Sequence, residues 1–193
     1  AGTTSTTLDV TVNGDTTDEA DETYAVTISG ETGGVGGTGV TLGTASANGT
    51  ITTDDTAPTI SIAGPADTSE AGGPSVAFTV SLSNTSDSTI NVDFASADGT
   101  DADTTLNATA GSDYTAQSGT VTFAPGSSSD AVTIAVPLTD DSTDEEDQAF
   151  TGDLTDNASP GGTNGAASVA TASASATILD DGPEPTISIA APV

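Results

Sequence analysis

No lysine, arginine or histidine occurs among the 193 residues, against 29 aspartates and glutamates, and the formal net charge is −29. No side chain can therefore offer a carboxylate an ion pair. Charged residues make up only 15% of the chain, so the anomaly is the loss of bases and not an excess of acids; halophilic adaptation, which raises the acid fraction itself, explains it only in part. A surface of one negative sign repels nucleic acid and anionic membranes, and cations are the expected partners. Cysteine is absent as well, which excludes disulfides and thiol redox chemistry. No run of 18 apolar residues and no basic-then-apolar leader is visible, so no direct membrane insertion is expected of this segment. Tryptophan and methionine are missing and the aromatics are four Phe and two Tyr, which predicts a thin, alanine-rich core. Catalysis lacks its usual parts: without His, Cys, Lys or Arg there is no common base near neutral pH, no thiolate and no side-chain oxyanion clamp. A two-carboxylate glycosidase would lack a tryptophan to stack a sugar. The chain is not expected to be an enzyme.

What is present is repetition. The string Pro58 to Ala63 returns unchanged as Pro185 to Ala190, 127 positions on. The run Thr17-Asp18-Glu19-Ala20-Asp21 returns 126 positions later as Thr143-Asp144-Glu145-Glu146-Asp147, and Asp54-Asp55 returns as Asp180-Asp181. A repeat of this length predicts tandem modules. The chain divides into the back half of one unit (1–55), one complete unit (57–182) and the opening strand of a third (184–193). It reads as a piece of something longer. The links between units, Thr56-Ala57 and Gly182-Pro183-Glu184, are very short and each follows an Asp-Asp pair. Such links restrict swinging and predict a stiff rod.

Within the complete unit the apolar residues alternate. Val76, Phe78, Val80 and Leu82 form one run, Ile90, Val92 and Phe94 a second, Val121 and Phe123 a third, and Val132, Ile134, Val136 and Leu138 a fourth. Phe150 and Leu154 follow, and Gly, Pro, Asn, Asp and Ser cluster between the runs. With Pro58 to Ala63 and the Ala-rich stretch Ala166 to Leu179, the count is about seven strands over roughly 125 residues, an antiparallel β-sandwich of immunoglobulin-like size. Pro137 cannot donate to a ladder, so its strand is expected at an edge or at a bulge.

The carboxylates fall mostly in loops and at strand ends: Glu70 after the first strand, Asp98, Asp101, Asp103 and Asp113 after the third, then Asp140 to Asp147 and Asp180-Asp181. Acids crowded at one end of a sandwich repel one another unless a cation lies between them. Ca²⁺ suits that place, because it takes six to eight oxygens in flexible geometry and needs neither His nor Cys. Loop charge alone fits a solvated acidic face equally well. Asp113 could cap a turn or bind metal, and Tyr114 reads as a core or corner residue.

Several motifs stand in an order that resembles the Calx-β domain, the module first described in sodium/calcium exchangers. They are Ser69-Glu70-Ala71-Gly72-Gly73, Ala97-Asp98-Gly99-Thr100, Gly111-Ser112-Asp113-Tyr114, Gly119 to Gly126, Asp140-Asp141 through Phe150, and Ala176 to Asp181. In calcium-binding members, ligands come from the glutamate after the first strand, the Asp-Gly-Thr aspartate, the acidic loop and the terminal aspartates. The resemblance therefore implies Ca²⁺ ligands at Glu70, Asp98, Asp140, Asp141, Glu145, Asp180 and Asp181, and in the half-unit at Asp15, Glu19, Glu22, Asp54 and Asp55. The complete unit departs from the family at Ser142, Gln148 and Gly182, and the half-unit has Gly14 opposite Asp140, which implies fewer or weaker sites per domain. The acids of the insert Asp101 to Ala110 have no family counterpart.

Two further signals are weak. Gly33 to Thr38 looks like a calcium-binding nonapeptide but lacks its Asp, and Asn48, Asn84, Asn107 and Asn157 each begin an Asn-X-Ser/Thr triplet. The expected function is a structural calcium-binding repeat of an extracellular or cell-surface fibre or adhesin stalk. Its partners are calcium ions and neighbouring repeats or identical chains. The alternative is a filament subunit assembled by strand exchange through Thr186 to Ala190. A regulatory calcium sensor is a third possibility that an all-acidic chain does not favour.

Overall fold

A computed structural model describes residues 5–30, 43–127, 131–156 and 167–190. The Gly33 to Thr38 stretch and Asn157 lie outside the described residues, as does the start of the Ala166 to Leu179 stretch. Eleven strands follow in order among them: β1 (Glu22–Thr27), β2 (Ser46–Ile51), β3 (Thr59–Ala63), β4 (Thr68–Ser69), β5 (Ser75–Leu82), β6 (Ile90–Ala97), β7 (Ser118–Phe123), β8 (Val132–Pro137), β9 (Gln148–Asp156), β10 (Ser168–Thr171) and β11 (Ser173–Leu179). The single helical element among the described residues is a 3-10 turn at Thr104–Leu106. No helix among the described residues is long and apolar enough to cross a membrane.

Strands β3 to β11 form two facing sheets, one ordered β10-β3-β5-β8 and the other β4-β11-β9-β6-β7, while β1 and β2 form a separate hairpin. The alternation read from the sequence is the reason. Along β5, Val76, Phe78, Val80 and Leu82 are all buried, and on β6 Ile90, Val92 and Phe94 face them. All four phenylalanines, Phe78, Phe94, Phe123 and Phe150, are in this core. Phe78 meets Phe150 edge-on at 5.8 Å, and Tyr114 stacks on the other side of Phe150 at 4.2 Å. Five rings and twelve Val, Ile and Leu side chains make up the buried core, to which alanine contributes only Ala108 and Ala176, so it is aliphatic and aromatic and not alanine-rich.

Two features differ from the expected antiparallel sandwich of about seven strands. The first strand is broken after Ala63, where Gly64 and Pro65 follow, so β3 joins one sheet and β4 joins the other. Both pieces pair in parallel, β3 with β10 and β4 with β11. The last strand is also split, at Ala172, whose carbonyl accepts the Leu154 N–H at 2.6 Å. The first and the last strand read from the sequence thus each serve both sheets. Pro137 is the last residue of β8, which pairs only with β5; it is an edge strand, as a missing N–H requires.

Outside the complete unit several described apolar residues lack cover. Leu8, Val10, Val12 and Ile28 are exposed, since no sheet among the described residues opposes the hairpin β1–β2. The string Pro185 to Ala190 forms no strand, and Ile187 and Ile189 are 99% and 94% exposed, although the identical Ile60 and Ile62 are buried in β3. Burial of this string depends on the sheet around it.

A Cβ at Gly152 on β9 would stand 2.7 Å from Phe94 and 2.9 Å from Phe78. The ring cluster therefore depends on a residue without a side chain. Gly152→Ala is expected to lower the unfolding free energy by about 1–3 kcal/mol through overpacking, measured by urea denaturation; a midpoint equal to the parent's would show that the rings move aside freely.

Candidate metal centre

Topology brings three acidic segments to one end of the complete unit. Because β4 runs parallel to β11, with Ser69 opposite Leu179, both strands finish together and Glu70 lies beside Asp180 and Asp181. The Glu70 N–H donates to the Leu179 carbonyl at 3.2 Å, and the Gly73 N–H closes a turn on the Glu70 carbonyl at 2.8 Å. Strand β9 runs the other way and starts at Gln148 opposite Ile178, so the loop Asp140 to Asp147 that feeds it lies at the same end. Asp147 Oδ1 accepts the Asp180 N–H at 3.2 Å, and Asp141 Oδ1 accepts the Thr143 N–H at 2.7 Å. Each local hydrogen bond fixes backbone and leaves carboxylate oxygens unused.

Glu70 is the focus. It is only 4% exposed, and its Oε1 is fully buried with no hydrogen-bond partner. Burial first, and then the charges of Asp141, Asp180, Asp181 and Glu145, push its pKa up from 4.5 to about 7. Glu145 is also raised, by burial and by Asp113, Asp141 and Asp180. Glu70, Glu145 and Asp180 share a small cleft with Gln148. An orphaned buried oxygen among carboxylates fits a hard, oxygen-seeking cation such as Ca²⁺. Glu70, Asp141, Glu145, Asp180 and Asp181 would hold it, and the ion would supply the positive charge that the chain lacks. Among the described residues no three acids close into a ready-made metal cage.

Other predicted ligands stand differently. Asp98 Oδ1 accepts the Tyr114 hydroxyl at 2.7 Å and the Ala110 N–H at 2.8 Å, which holds its carboxyl below the usual range; it is not among the charges that act on Glu70. Asp140 is exposed, and no hydrogen bond among the described residues ties it to the cluster. Asp113 caps a turn, with Oδ2 accepting the Thr109 N–H at 2.6 Å and the Thr109 hydroxyl at 3.1 Å. In the insert, Asp103 accepts from the Thr105 N–H and hydroxyl and so starts the 3-10 turn. Two of the Asn-X-Ser/Thr amides are engaged, Asn84 Nδ2 with the Thr56 carbonyl at 2.5 Å and Asn107 Nδ2 with the Asp101 carbonyl at 3.0 Å.

The five acids predicted in the half-unit, Asp15, Glu19, Glu22, Asp54 and Asp55, all line one cavity of about 260 Å³. Asp15 Oδ1 accepts the Thr17 N–H at 2.7 Å, the same turn as Asp141 makes. Asp15, burial, Glu22, Asp87 and Asp55 raise the Glu19 pKa, and Asp55 is raised by burial and by Asp54, Asp15 and Asp18.

One pairing from the sequence needs correction. Glu22 pairs with Ile51 and Gln148 with Ile178, so the terminal run repeats at 127 positions and not 126. Thr53 stands where Asp180 does, Asp54 where Asp181 does, and Asp55 where Gly182 does. Hydrogen bonds agree: the Thr53 N–H binds Asp21 Oδ1 as the Asp180 N–H binds Asp147 Oδ1. The extra residue lies between β9 and β11. Gly182 itself has a steric reason, because a Cβ there would meet the Thr143 carbonyl oxygen at 2.2 Å. Asp21 and Asp147 were not singled out as functional, yet their recurrence within the acidic runs marks them; they anchor the terminal run to the loop.

A two-sheet module with a carboxylate-lined end is the class of protein that this geometry defines. The Calx-beta domain model matches residues 1–56 and 53–182, and the chain belongs to that family. The apo-form Calx CBD1 domain superposes with a TM-score of 0.50 at 24% identity, over 65% of this chain and 98% of that one. CBD12 from CALX1.2 gives 0.49 at 25% identity, over 63% of this chain and 45% of that one. No curated protein matches.

The raised pKa of Glu70 sets a pH dependence. Its folded value lies above its ordinary one, so the stability linked to the protonated form is complete below about pH 4.5 and is lost as pH rises to about 7. In chelator, the melting temperature is expected to fall across that window. Glu70→Gln should flatten the fall and raise the melting temperature at pH 7.5; a variant with the parent's slope would remove Glu70 from this role.

Proposed function

We propose that this chain is a structural calcium-binding repeat of a long extracellular or cell-surface protein, a fibre or adhesin stalk, in which Ca²⁺ stiffens the junctions between modules. The observation that carries it is the buried, unpartnered Oε1 of Glu70 at the centre of four further carboxylates. Such an arrangement is unfavourable in the apo state, so an ion that binds only the folded form stabilises it by linkage. Units run from 57 to 182, with the back half of a preceding unit before and the first strand of another after. The two acidic ends lie directly before the short links at Thr56-Ala57 and Gly182-Pro183-Glu184, where a bound ion reaches the neighbouring module. The surface setting agrees with a chain that offers trypsin-like proteases no basic residue.

A second reading, a filament built by strand exchange, is favoured by one observation: Ile187 and Ile189 are exposed on a string that is a buried strand when its sheet is present. Small-angle scattering of the 193-residue chain, with mass measured in the same run, separates the readings. Calcium at constant ionic strength is expected to give a monomer with a narrower, more extended distance distribution than chelator does. Growth of mass with concentration would select the filament, and identical monomer profiles would remove calcium from the junction.

A further inference from the structure

The half-unit touches the complete unit through backbone. Asp18, in the acidic loop before β1, forms an isolated parallel bridge with Ser86, in the loop between β5 and β6. The Asp18 N–H donates to the Thr85 carbonyl at 3.0 Å, the Asp87 N–H donates to the Asp18 carbonyl at 3.0 Å, and the Ser86 hydroxyl reaches that carbonyl at 3.3 Å. Asp18 is 6% and Ser86 4% exposed, so these bonds are shielded from water. The β5–β6 loop is braced for the purpose. The Gly126 N–H holds the Ser86 carbonyl at 2.8 Å, Ser83 Oγ accepts the Thr59 N–H at 2.9 Å, and Asn84 grips the link at the Thr56 carbonyl.

We infer that Thr85–Asp87 is the docking surface by which each repeat clasps the acidic loop of the repeat before it, a second copy of the same module being the partner. The complete unit carries the other half of the clasp. Asp144 follows the same turn, with Thr143 on Asp141 as Thr17 is on Asp15, yet Asp144 is exposed where Asp18 is buried. Its N–H and carbonyl are the groups that a following β5–β6 loop would take. Because recognition is by main chain, it tolerates change in side chains from repeat to repeat, as a long array requires. Asp87 belongs to the clasp and its charge acts on Glu19. The clasp rests on the tandem-repeat part of the proposed function, and its dependence on calcium rests on the calcium part.

Amide hydrogen exchange by NMR on the 193-residue chain tests this, because Asp18 and Asp144 are equivalent residues in one molecule. After correction for intrinsic rates, the Asp18 and Asp87 amides are expected to exchange at least about tenfold more slowly than Asp144. Equal rates for Asp18 and Asp144, with and without calcium, would overturn the clasp even if calcium still raised the melting temperature. Protection that persists in chelator would support the clasp and remove calcium's role at the junction. Asp87→Ala, which keeps the N–H, should preserve Asp18 protection, and Asp87→Pro, which lacks it, should abolish protection; parental protection in the proline variant would contradict the assignment.

Discussion

Every carboxylate in this chain must be accommodated without a cationic side chain. The structure meets that constraint in two ways. Several loop acids accept from neighbouring main-chain N–H groups or from Ser, Thr and Tyr hydroxyls, as Asp98 does from Tyr114 and Ala110 and Asp113 does from Thr109. Such bonds favour the ionised form and fix the turns in which these residues lie. At the end of each module such bonds engage some acids, Asp15 and Asp21 in the half-unit and Asp141, Asp147 and Asp180 in the complete unit, but they do not reach the most buried one. Glu70 is buried among them with an oxygen that nothing in the chain satisfies, and this is the cost that the rest of the architecture concentrates at one place.

The fold explains why that place is a junction. A first strand that divides between two sheets lets β4 run out beside β11, and the return of β9 brings the acidic loop to the same end. Since β11 leads directly into the link, the charged end of a module is also its exit. In the half-unit the acidic cavity lies next to Thr56 and the β5–β6 loop.

How much of this was legible in the sequence depended on range. Period-two alternation located the strands and the core, because inward residues such as Phe78 and Phe94 are set by local geometry. Pro137 pointed to an edge or a bulge, and the sheet order places β8 at an edge. The parallel pairings of β3 and β4 were hidden, since a strand that changes sheet leaves only Gly64-Pro65 as a trace. The acidic ends were visible from recurrence, but the one-residue shift in the terminal run was not, because Asp54-Asp55 matches Asp180-Asp181 equally well by eye and only the ladder distinguishes them. Asp98 carried the right motif, and a tyrosine distant in sequence engages it. The Asp18 clasp used backbone, which no side-chain pattern reports.

The central claim is that the uncompensated carboxylates around Glu70 form a calcium-dependent element of stability. The most direct measurement is a thermal melt of the 193-residue chain in millimolar calcium and in chelator, at high and matched ionic strength, with magnesium as a control for charge screening. A large rise in melting temperature specific to calcium is the predicted result. Coincident curves in calcium, magnesium and chelator would contradict the account and leave a sandwich spacer with a solvated acidic end.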